Sequence, residues 1–258
     1  MTNQKITVSV VTGGGSGIGY SICKALSTVG HKVIVLDLDE AAANKTAQQI
    51  LSEGGQANAY AVDVSNQKNV NDVFAKVISE NGVISILVNN AGIGSIGNLE
   101  QTSEAELDKV FNVNVKGVYN CSLAAVPSMK EQQSGIIINM ASVASSVGIA
   151  DRFAYSMSKG AVLTMTYSIA KDYLAHGIRC NCVAPGRVHT PFVDGYLEKN
   201  YPSNKQKMFE ALSKSQPIGR MGKSIEIAAL VKFLCSDEAA FITGTNIPID
   251  GGFVTLNN

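Results

Sequence analysis

The stretch Thr12-Gly13-Gly14-Gly15-Ser16-Gly17-Ile18-Gly19 follows the apolar run Val8–Val11 and precedes a segment with helical apolar spacing through Ile22, Ala25 and Leu26. This order predicts a strand, a tight turn and a helix. Glycines let the turn approach a pyrophosphate closely, and the helix N-terminus offers free N–H groups and a partial positive charge. We therefore expect a dinucleotide to bind here, with contacts from Gly13, Ser16, Gly17, Ile18 and Gly19.

Five further segments rich in β-branched or apolar residues follow the first, and most are separated by stretches with helical spacing. They are Val33–Leu36, Ala59–Val64, Ile84–Val88, Gly135–Met140 and Ile178–Val183. Because most are apolar throughout, helices are expected on both faces of the sheet. The pattern predicts a doubly wound parallel α/β sheet of the Rossmann type, with residues 1–258 forming one domain.

Composition and charge exclude several classes of protein. Lys+Arg and Asp+Glu both number 21, so no net field attracts nucleic acid or an anionic membrane, and we expect a small-molecule substrate. The five cysteines lack paired zinc or redox spacing, and we interpret them as buried thiols in a reducing compartment. The first residues do not resemble a secretory leader and no apolar stretch reaches membrane-spanning length, so we expect the cytoplasm.

The second predicted strand ends at Asp37, about 20 residues beyond Gly17. A carboxylate at this position can accept hydrogen bonds from both ribose hydroxyls of an adenosine. A 2′-phosphate would meet a like charge, and no arginine stands beside Asp37 to offset it. We therefore predict NAD as the cofactor, with Asp37 and Leu38 at the ribose. The alternative is that Asp37 is an ordinary loop carboxylate.

Tyr155 and Lys159 lie four residues apart, which places them on one face of a helix. The pKa of an isolated tyrosine is about 10, but a fixed cation nearby favours the phenolate and prepares the group for acid–base chemistry. Ser142 follows the fifth predicted strand, at the sheet edge where doubly wound folds bind ligands. The alternative reading of the pair alone is a half-buried phenol beside a surface lysine.

These motifs together resemble the short-chain dehydrogenases/reductases, whose glycine pattern is Thr-Gly-x-x-x-Gly-x-Gly. The resemblance covers essentially the whole chain and extends to Asp63-Val64, expected at the adenine ring, and to Asn89-Asn90-Ala91-Gly92 after the fourth strand. It implies that Tyr155 is the general acid/base and that Ser142 holds the substrate carbonyl. It also implies that Lys159 lowers the pKa of Tyr155 and binds the nicotinamide ribose.

The resemblance assigns roles to two more segments. Asn114 matches the residue that anchors a water in the family's proton relay. The stretch Pro185-Gly186-Arg187-Val188-His189-Thr190 resembles the family's Pro-Gly-x-x-x-Thr, in which Val188 meets the nicotinamide carboxamide and Thr190 supports nicotinamide or pyrophosphate. The cofactor itself carries the hydride, so no metal is expected. The resemblance further implies a homotetramer, assembled through the helices that contain Asn114 and Tyr155 and through the apolar C-terminal segment from Phe241 to Phe253.

The substrate is less constrained by the sequence. Arg152 and Arg187 flank the predicted reacting groups, and a guanidinium there matches a substrate carboxylate. This favours a small polar alcohol or ketone, and some segments resemble family members acting on sugars or 2-keto-3-deoxy sugar acids. The alternative is that both arginines are structural. Residues 190–216 interrupt the strand–helix order and are interpreted as a substrate lid.

Three alternative functions stay open. A 3-hydroxybutyrate-type dehydrogenase also needs a carboxylate site. A 3-oxoacyl carrier-protein reductase is the second, although Asp37 and the zero net charge count against it. The third is a non-catalytic scaffold that keeps the fold, and the presence of Ser142, Tyr155 and Lys159 argues against that reading.

Overall fold

The computed structural model describes residues 6–256. The strands are β1 (Val8–Thr12), β2 (Lys32–Asp37), β3 (Gln56–Ala61), β4 (Ile84–Asn89), β5 (Gly135–Met140), β6 (Ile178–Pro185), β7 (Val188–His189), β8 (Gly222–Lys223) and β9 (Asn246–Ile249). The helices are α1 (Gly17–Ser27), α2 (Glu40–Ser52), α3 (Gln67–Asn81), α4 (Glu104–Phe111), α5 (Gly117–Glu131), α6 (Phe153–Tyr173), α7 (Pro191–Asn200), α8 (Lys205–Lys214) and α9 (Ser224–Leu234). A π-helical turn, Asn112–Lys116, joins α4 to α5.

Seven strands form one parallel sheet in the order β3-β2-β1-β4-β5-β6-β9, which confirms the predicted doubly wound fold. The strand order reverses between β1 and β4. In such sheets ligands bind in the crevice beyond the carboxyl ends of the strands at this point. The glycine-rich stretch after β1 and the Asn89–Gly92 segment therefore lie on opposite sides of the expected crevice.

Alternate residues of each strand enter two separate cores, one on each face of the sheet. On β2, Val33 and Val35 pack with α1, α2 and α9, whereas Ile34 and Leu36 pack against the other core. That second core includes Phe74 of α3 and Met129 of α5, both fully buried. Removing such a side chain from water contributes about 1.5–3 kcal/mol, so burial on both faces stabilises the sheet strongly.

The sequence analysis placed one strand, β3, wrongly and missed another, β9. The third strand is Gln56–Ala61 rather than 59–64, because its partner β2 ends at Asp37, which pairs with Ala61. Val62 and Val64 are apolar because they pack into the second core beyond the strand. Strand β9 was missed, and the C-terminal apolar run was assigned to a subunit interface. Its central part pairs with β6 and forms the outer strand of the sheet, and the subunit interface stays a prediction.

The segment interpreted as a lid contains two helices, α7 and α8. All five cysteines are buried and free, as predicted for thiols inside the core. In the described part of the chain, no helix is long and apolar enough to cross a membrane.

Candidate active site

The glycine-rich loop has the backbone that its sequence predicts. Gly13 and Gly17 adopt φ values of 65° and 53°, a region that favours glycine. A Cβ at Gly19 would lie 2.0 Å from the Gly13 carbonyl oxygen, so a larger residue would force the loop apart. Ser16 precedes α1 in an extended conformation and makes no side-chain cap, which leaves N–H groups of the first turn available to an anion.

Asp37 lies at the end of β2 and its carboxylate is oriented by the backbone. Oδ2 accepts the N–H of Gly15 at 2.8 Å, and Oδ1 accepts the N–H of Asp39 at 3.0 Å. Each oxygen keeps a second lone pair that can accept a hydroxyl. Leu38 is 75% exposed at the same edge. The structure thus places the predicted ribose-binding carboxylate directly against the predicted phosphate-binding loop.

The segment after β4 is tied to the glycine-rich loop. The Asn90 side chain donates to the carbonyl oxygens of Thr12 and Gly13 at 3.0 and 3.1 Å. Thr12 Oγ1 in turn accepts the backbone N–H groups of Asn90 and Ala91, each at 3.0 Å. The Asn90 amide therefore holds the two sides of the crevice together. Sequence reasoning missed Thr12, whose signal was its position before the first glycine.

The predicted adenine segment lies in a turn after β3. Asp63 Oδ1 accepts the N–H and the hydroxyl of Ser65 at 2.9 and 2.7 Å. Val64 is buried, and its carbonyl oxygen accepts the Asn120 side-chain amide at 2.8 Å. These bonds stabilise the turn that follows Ala61. Ala61 pairs with Asp37, so the turn lies at the carboxyl edge of the sheet.

Asn114 is buried in the π-helical turn, a feature often found at functional sites. Its Oδ1 accepts the Ile93 N–H at 2.8 Å, and its Nδ2 donates to the Ile93 carbonyl at 2.9 Å and to Ser158 Oγ at 3.0 Å. A Cβ at Gly92 would lie 3.2 Å from Asn114 Oδ1 and 3.5 Å from Lys159 Nζ. Asn114 therefore lies beside the predicted catalytic helix, with its side chain already bonded.

Ser142 and Tyr155 are brought together. Ser142 Oγ accepts the Ala144 N–H at 3.2 Å, which leaves the hydroxyl proton to donate. Burial raises the pKa of Tyr155, while the hydrogen bond from Ser142 and the positive charge of Arg152 lower it. The phenol thus remains protonated at neutral pH, with the Ser142 hydroxyl and the Arg152 guanidinium close enough to act on it.

Lys159 is buried in α6 with 6% of its surface exposed. Its Nζ donates to the Met140 carbonyl oxygen at 2.7 Å and lies 5.7 Å from the centroid of the Tyr155 ring. Burial lowers the pKa of Lys159 to about 8. The lysine is therefore close to the phenol, as its spacing predicts, and it is still mostly protonated at neutral pH.

Arg152 precedes α6, and its Nη1 donates to the Asp151 and Ser95 carbonyl oxygens at 3.2 and 3.4 Å. Its hydrogen-bond partners are thus backbone carbonyl groups of its own chain. The guanidinium is nevertheless near enough to Tyr155 to lower its pKa.

The segment after β6 meets the glycine-rich loop. A Cβ at Gly17 would lie 3.6 Å from Thr190 Cγ2, so two predicted cofactor residues from distant parts of the chain converge. Val188 is buried in β7, which pairs with β8. The Gly186 N–H donates to the Ile249 carbonyl at 3.1 Å. Sequence reasoning missed Gln216, whose side chain bonds the Arg187 N–H at 3.1 Å. No local motif marks it.

The crevice fits a dinucleotide. Glycines at 13 and 19 let the loop pack closely against itself and Asn90, α1 presents its N-terminus to the crevice, and Asp37 offers hydroxyl acceptors at one end. A family model described as Enoyl-(Acyl carrier protein) reductase matches residues 13–254. These findings define an oxidoreductase that acts on alcohols or ketones with a nicotinamide dinucleotide. More specifically, the chain belongs to the short-chain dehydrogenase/reductase family.

Three curated relatives extend over nearly the full chain. An uncharacterized oxidoreductase of Thermotoga maritima is 40% identical over 95% of this chain and 96% of its own. The 2-(S)-hydroxypropyl-CoM dehydrogenase 3 of Xanthobacter autotrophicus is 36% identical over 99% and 100%. The 3-oxoacyl-[acyl-carrier-protein] reductase FabG of Thermotoga maritima is also 36% identical, over 96% and 97%.

Two solved structures are also similar. Levodione reductase superposes with a TM-score of 0.93 at 33% identity, covering 98% of this chain and 100% of that one. The aldohexose dehydrogenase of Thermoplasma acidophilum has a TM-score of 0.87 at 35% identity, covering 96% and 94%. The names of these proteins differ in substrate, so similarity alone does not select one.

Proposed function

We propose that this protein is an NAD-dependent dehydrogenase/reductase of a small polar secondary alcohol or ketone, of the sugar or 2-keto-3-deoxy sugar acid type. The observation that carries the cofactor choice is Asp37, whose two oxygens face the backbone of Gly15 and Asp39. A 2′-phosphate at this place would meet a carboxylate, whereas a ribose diol finds acceptors.

The proposed chemistry assigns each group of the site a separate task. The dinucleotide, when bound, supplies the hydride acceptor or donor. Tyr155 Oη exchanges the proton with the substrate oxygen, and Ser142 Oγ donates a hydrogen bond to that oxygen. The positive charges of Lys159 and Arg152 favour the phenolate that forms when the proton leaves. Asn114 is proposed to anchor a water of the proton relay.

The proposed cofactor contacts follow the crevice. The glycine-rich loop and Thr190 would lie at the pyrophosphate, and Asp63, Val64 and Leu38 at the adenosine. Asn90, Ala91 and Gly92 would form the opposite wall, and Lys159 would bind the nicotinamide ribose. The segment from Pro185 to Val188 would contact the carboxamide.

The substrate proposal depends mainly on Arg152. Its guanidinium influences Tyr155 electrostatically, so a carboxylate bound to it would lie near the reacting oxygen. Arg187 follows Gly186 and is the second candidate for such a contact. The similarity to an aldohexose dehydrogenase supports a polyhydroxylated substrate. The helices α7 and α8 are proposed to form a lid over it.

A homotetramer in the cytoplasm is also part of the proposal. Large apolar side chains remain exposed on α4, α5 and α6 in the described chain, and a second copy would bury them. They are Phe111, Tyr119, Leu123, Phe153 and Tyr167. The C-terminal contact is proposed over the segment from Phe241 to Phe253, in which Phe241 is fully exposed and β9 is the outer strand of the sheet.

The experiment that tests this function is a spectrophotometric assay of NADH or NADPH formation with a panel of substrates. The panel contains polyols, aldoses, sugar acids and 3-hydroxybutyrate, each with NAD and with NADP. We expect turnover of a polyol, sugar or sugar acid with NAD. Activity restricted to 3-hydroxybutyrate would support that alternative, and absence of turnover in the whole panel would contradict the proposal.

The 3-oxoacyl reductase alternative is supported by similarity to the FabG protein. It predicts reduction of an acetoacetyl thioester, preferentially with NADPH. Assaying that thioester with both reduced cofactors therefore separates the two enzymes. A scaffold without activity would bind cofactor but turn over none of the compounds.

A further inference from the structure

The loop after β6 is held to three distant parts of the chain. The Gly186 N–H donates to the Ile249 carbonyl at 3.1 Å, and the Arg187 carbonyl accepts the Gly222 N–H at 2.9 Å. The Arg187 N–H donates to Oε1 of Gln216 at 3.1 Å. Of these three bonds only the last uses a side chain, so only it can be removed by a single substitution without changing the backbone.

Gln216 is itself rigidly placed. It is 4% exposed, and its Nε2 donates to Ser215 Oγ at 3.2 Å. Its backbone carbonyl accepts the Gly219 N–H at 2.8 Å, and its N–H donates to the Ser213 carbonyl at 3.2 Å. Holding a long side chain in one rotamer costs conformational entropy, and the hydrogen bonds of the Gln216 amide must offset that cost.

The side-chain amide of Gln216 is also in close contact with the backbone of the loop after β6. A Cβ at Gly186 would be 2.5 Å from Oε1, so the backbone of the loop rests directly on the amide. An apolar side chain at position 216 would take away the acceptor of the partly buried Arg187 N–H, which is costly. The loop would then shift to find another partner.

Gln216 closes the segment of residues 190–216 that contains α7 and α8, while Thr190 opens it. Both ends of this segment therefore meet the same loop, on which Val188 lies between Arg187 and Thr190. The position of the Val188 backbone thus depends on where Gln216 holds Arg187.

We propose that Gln216 is a positioning residue, which holds the loop at 185–188 in the place where it receives the nicotinamide half of the cofactor. This inference rests on the proposed function, in which that loop contacts the carboxamide. The inference predicts that substituting Gln216 weakens binding of the nicotinamide half of the cofactor only. The glycine-rich loop and Asp37 bind the other half without help from Gln216.

The test compares two ligands by isothermal titration calorimetry: NADH, and ADP-ribose, which lacks the nicotinamide. Gln216→Met keeps the length of the side chain and removes the acceptor. We expect the Kd of NADH to rise about threefold to tenfold, the range of one net hydrogen bond, and that of ADP-ribose to stay unchanged. Gln216→Asn, which withdraws the amide by one methylene, should show the same selective loss and serves if the Met variant does not fold.

Gln132→Met is the matched control. The Gln132 amide donates to the Ile84 carbonyl at 2.8 Å, at the amino end of β4 and thus at the opposite edge of the sheet. We expect it to bind both ligands like the wild type. Equal losses for NADH and ADP-ribose in the Gln216 variants, or no loss for either, would overturn the inference. A wild-type protein that binds neither ligand would overturn the proposed function, and this inference with it.

Discussion

Lys159 Nζ donates a 2.7 Å hydrogen bond to the carbonyl oxygen of Met140, the last residue of β5. This bond joins the second turn of α6 to the strand end that is followed, two residues later, by Ser142. The lysine therefore ties the helix that carries Tyr155 to the strand that precedes Ser142. Lys159 thus positions the site as well as charging it.

Tyr155→Phe should reduce turnover by about 10³-fold or more, because the proton donor and acceptor is removed. NADH affinity should change by less than about twofold, since the hydroxyl contributes little to binding the cofactor in the ground state. Steady-state kinetics and fluorescence titration of NADH measure the two effects. Tyr173→Phe, a change at the last residue of the same helix, is the control and should keep full activity.

Asp37→Ala should relax the preference for NAD, because the like charge facing a 2′-phosphate is gone. We expect kcat/KM with NAD to fall by about tenfold and that with NADP to rise, through loss of hydroxyl acceptors and of repulsion respectively. Asp72→Ala, which removes an exposed carboxylate paired with Lys68, should change kcat/KM with neither NAD nor NADP. Equal kcat/KM for both cofactors in the wild type would contradict the assignment of Asp37.

Arg152→Ala should discriminate between acidic and neutral substrates. If Arg152 holds a substrate carboxylate, KM for a sugar acid should rise by the equivalent of about 2–4 kcal/mol, because a desolvated charge loses its partner. KM for the corresponding neutral sugar should change far less, and it serves as the internal control. The same comparison with Arg187→Ala tests the second predicted arginine. Equal effects on both substrates would make the arginines structural and return the search to neutral polyols and aldoses.

Lys159→Met should abolish turnover yet increase the free energy of unfolding. Burial lowers the pKa of Lys159 to about 8, so folding carries a cost for every buried ammonium below that pH. Removing the charge should raise the free energy of unfolding by up to about 3 kcal/mol. Loss of the hydrogen bond to Met140 reduces this gain.

The pH dependence of that gain follows from the direction of the shift. Below pH 8 both folded and unfolded wild type carry the charge, so the gain is constant. Above pH 8 the folded lysine is neutral while the unfolded one stays charged, so the gain shrinks toward the unfolded pKa of about 10.5. Urea denaturation of both proteins from pH 7 to pH 10 measures it. Lys171→Met, on the exposed side of the same helix, should change stability by less than about 0.5 kcal/mol at every pH.

Leu123→Glu should dissociate the proposed tetramer, because it places a charge in the exposed apolar surface of α5. We expect light scattering at micromolar concentration to give a tetramer for the wild type and a smaller species for the variant. Leu51→Glu is the control, since Leu51 is similarly exposed on α2, away from that surface. A monomeric wild type would contradict the assembly.

Local sequence patterns were sufficient to predict a strand wherever its own burial makes it apolar. The period of apolar residues predicts β1, β2, β4 and β5 to within two residues, since a strand buried on both faces must be apolar at nearly every position. Strand β3 was displaced because it is an edge strand with Gln56 and Asn58 in its pairing, and its length is set by β2. Strand β9 contains Pro248 and pairs on one side only, so it lacks a strand signature.

By itself the sequence determined the parallel sheet, the turn from Gly13 into α1 and the shared face of Tyr155 and Lys159, because helix period, strand burial and backbone freedom act over a few residues. Only the tertiary structure decided that Asn90 binds the glycine-rich loop and that Thr190 approaches Gly17. The same holds for Gln216, which supports the loop after β6. Such contacts join residues far apart in the chain, and their geometry is set by how helices and strands pack rather than by the residues between them.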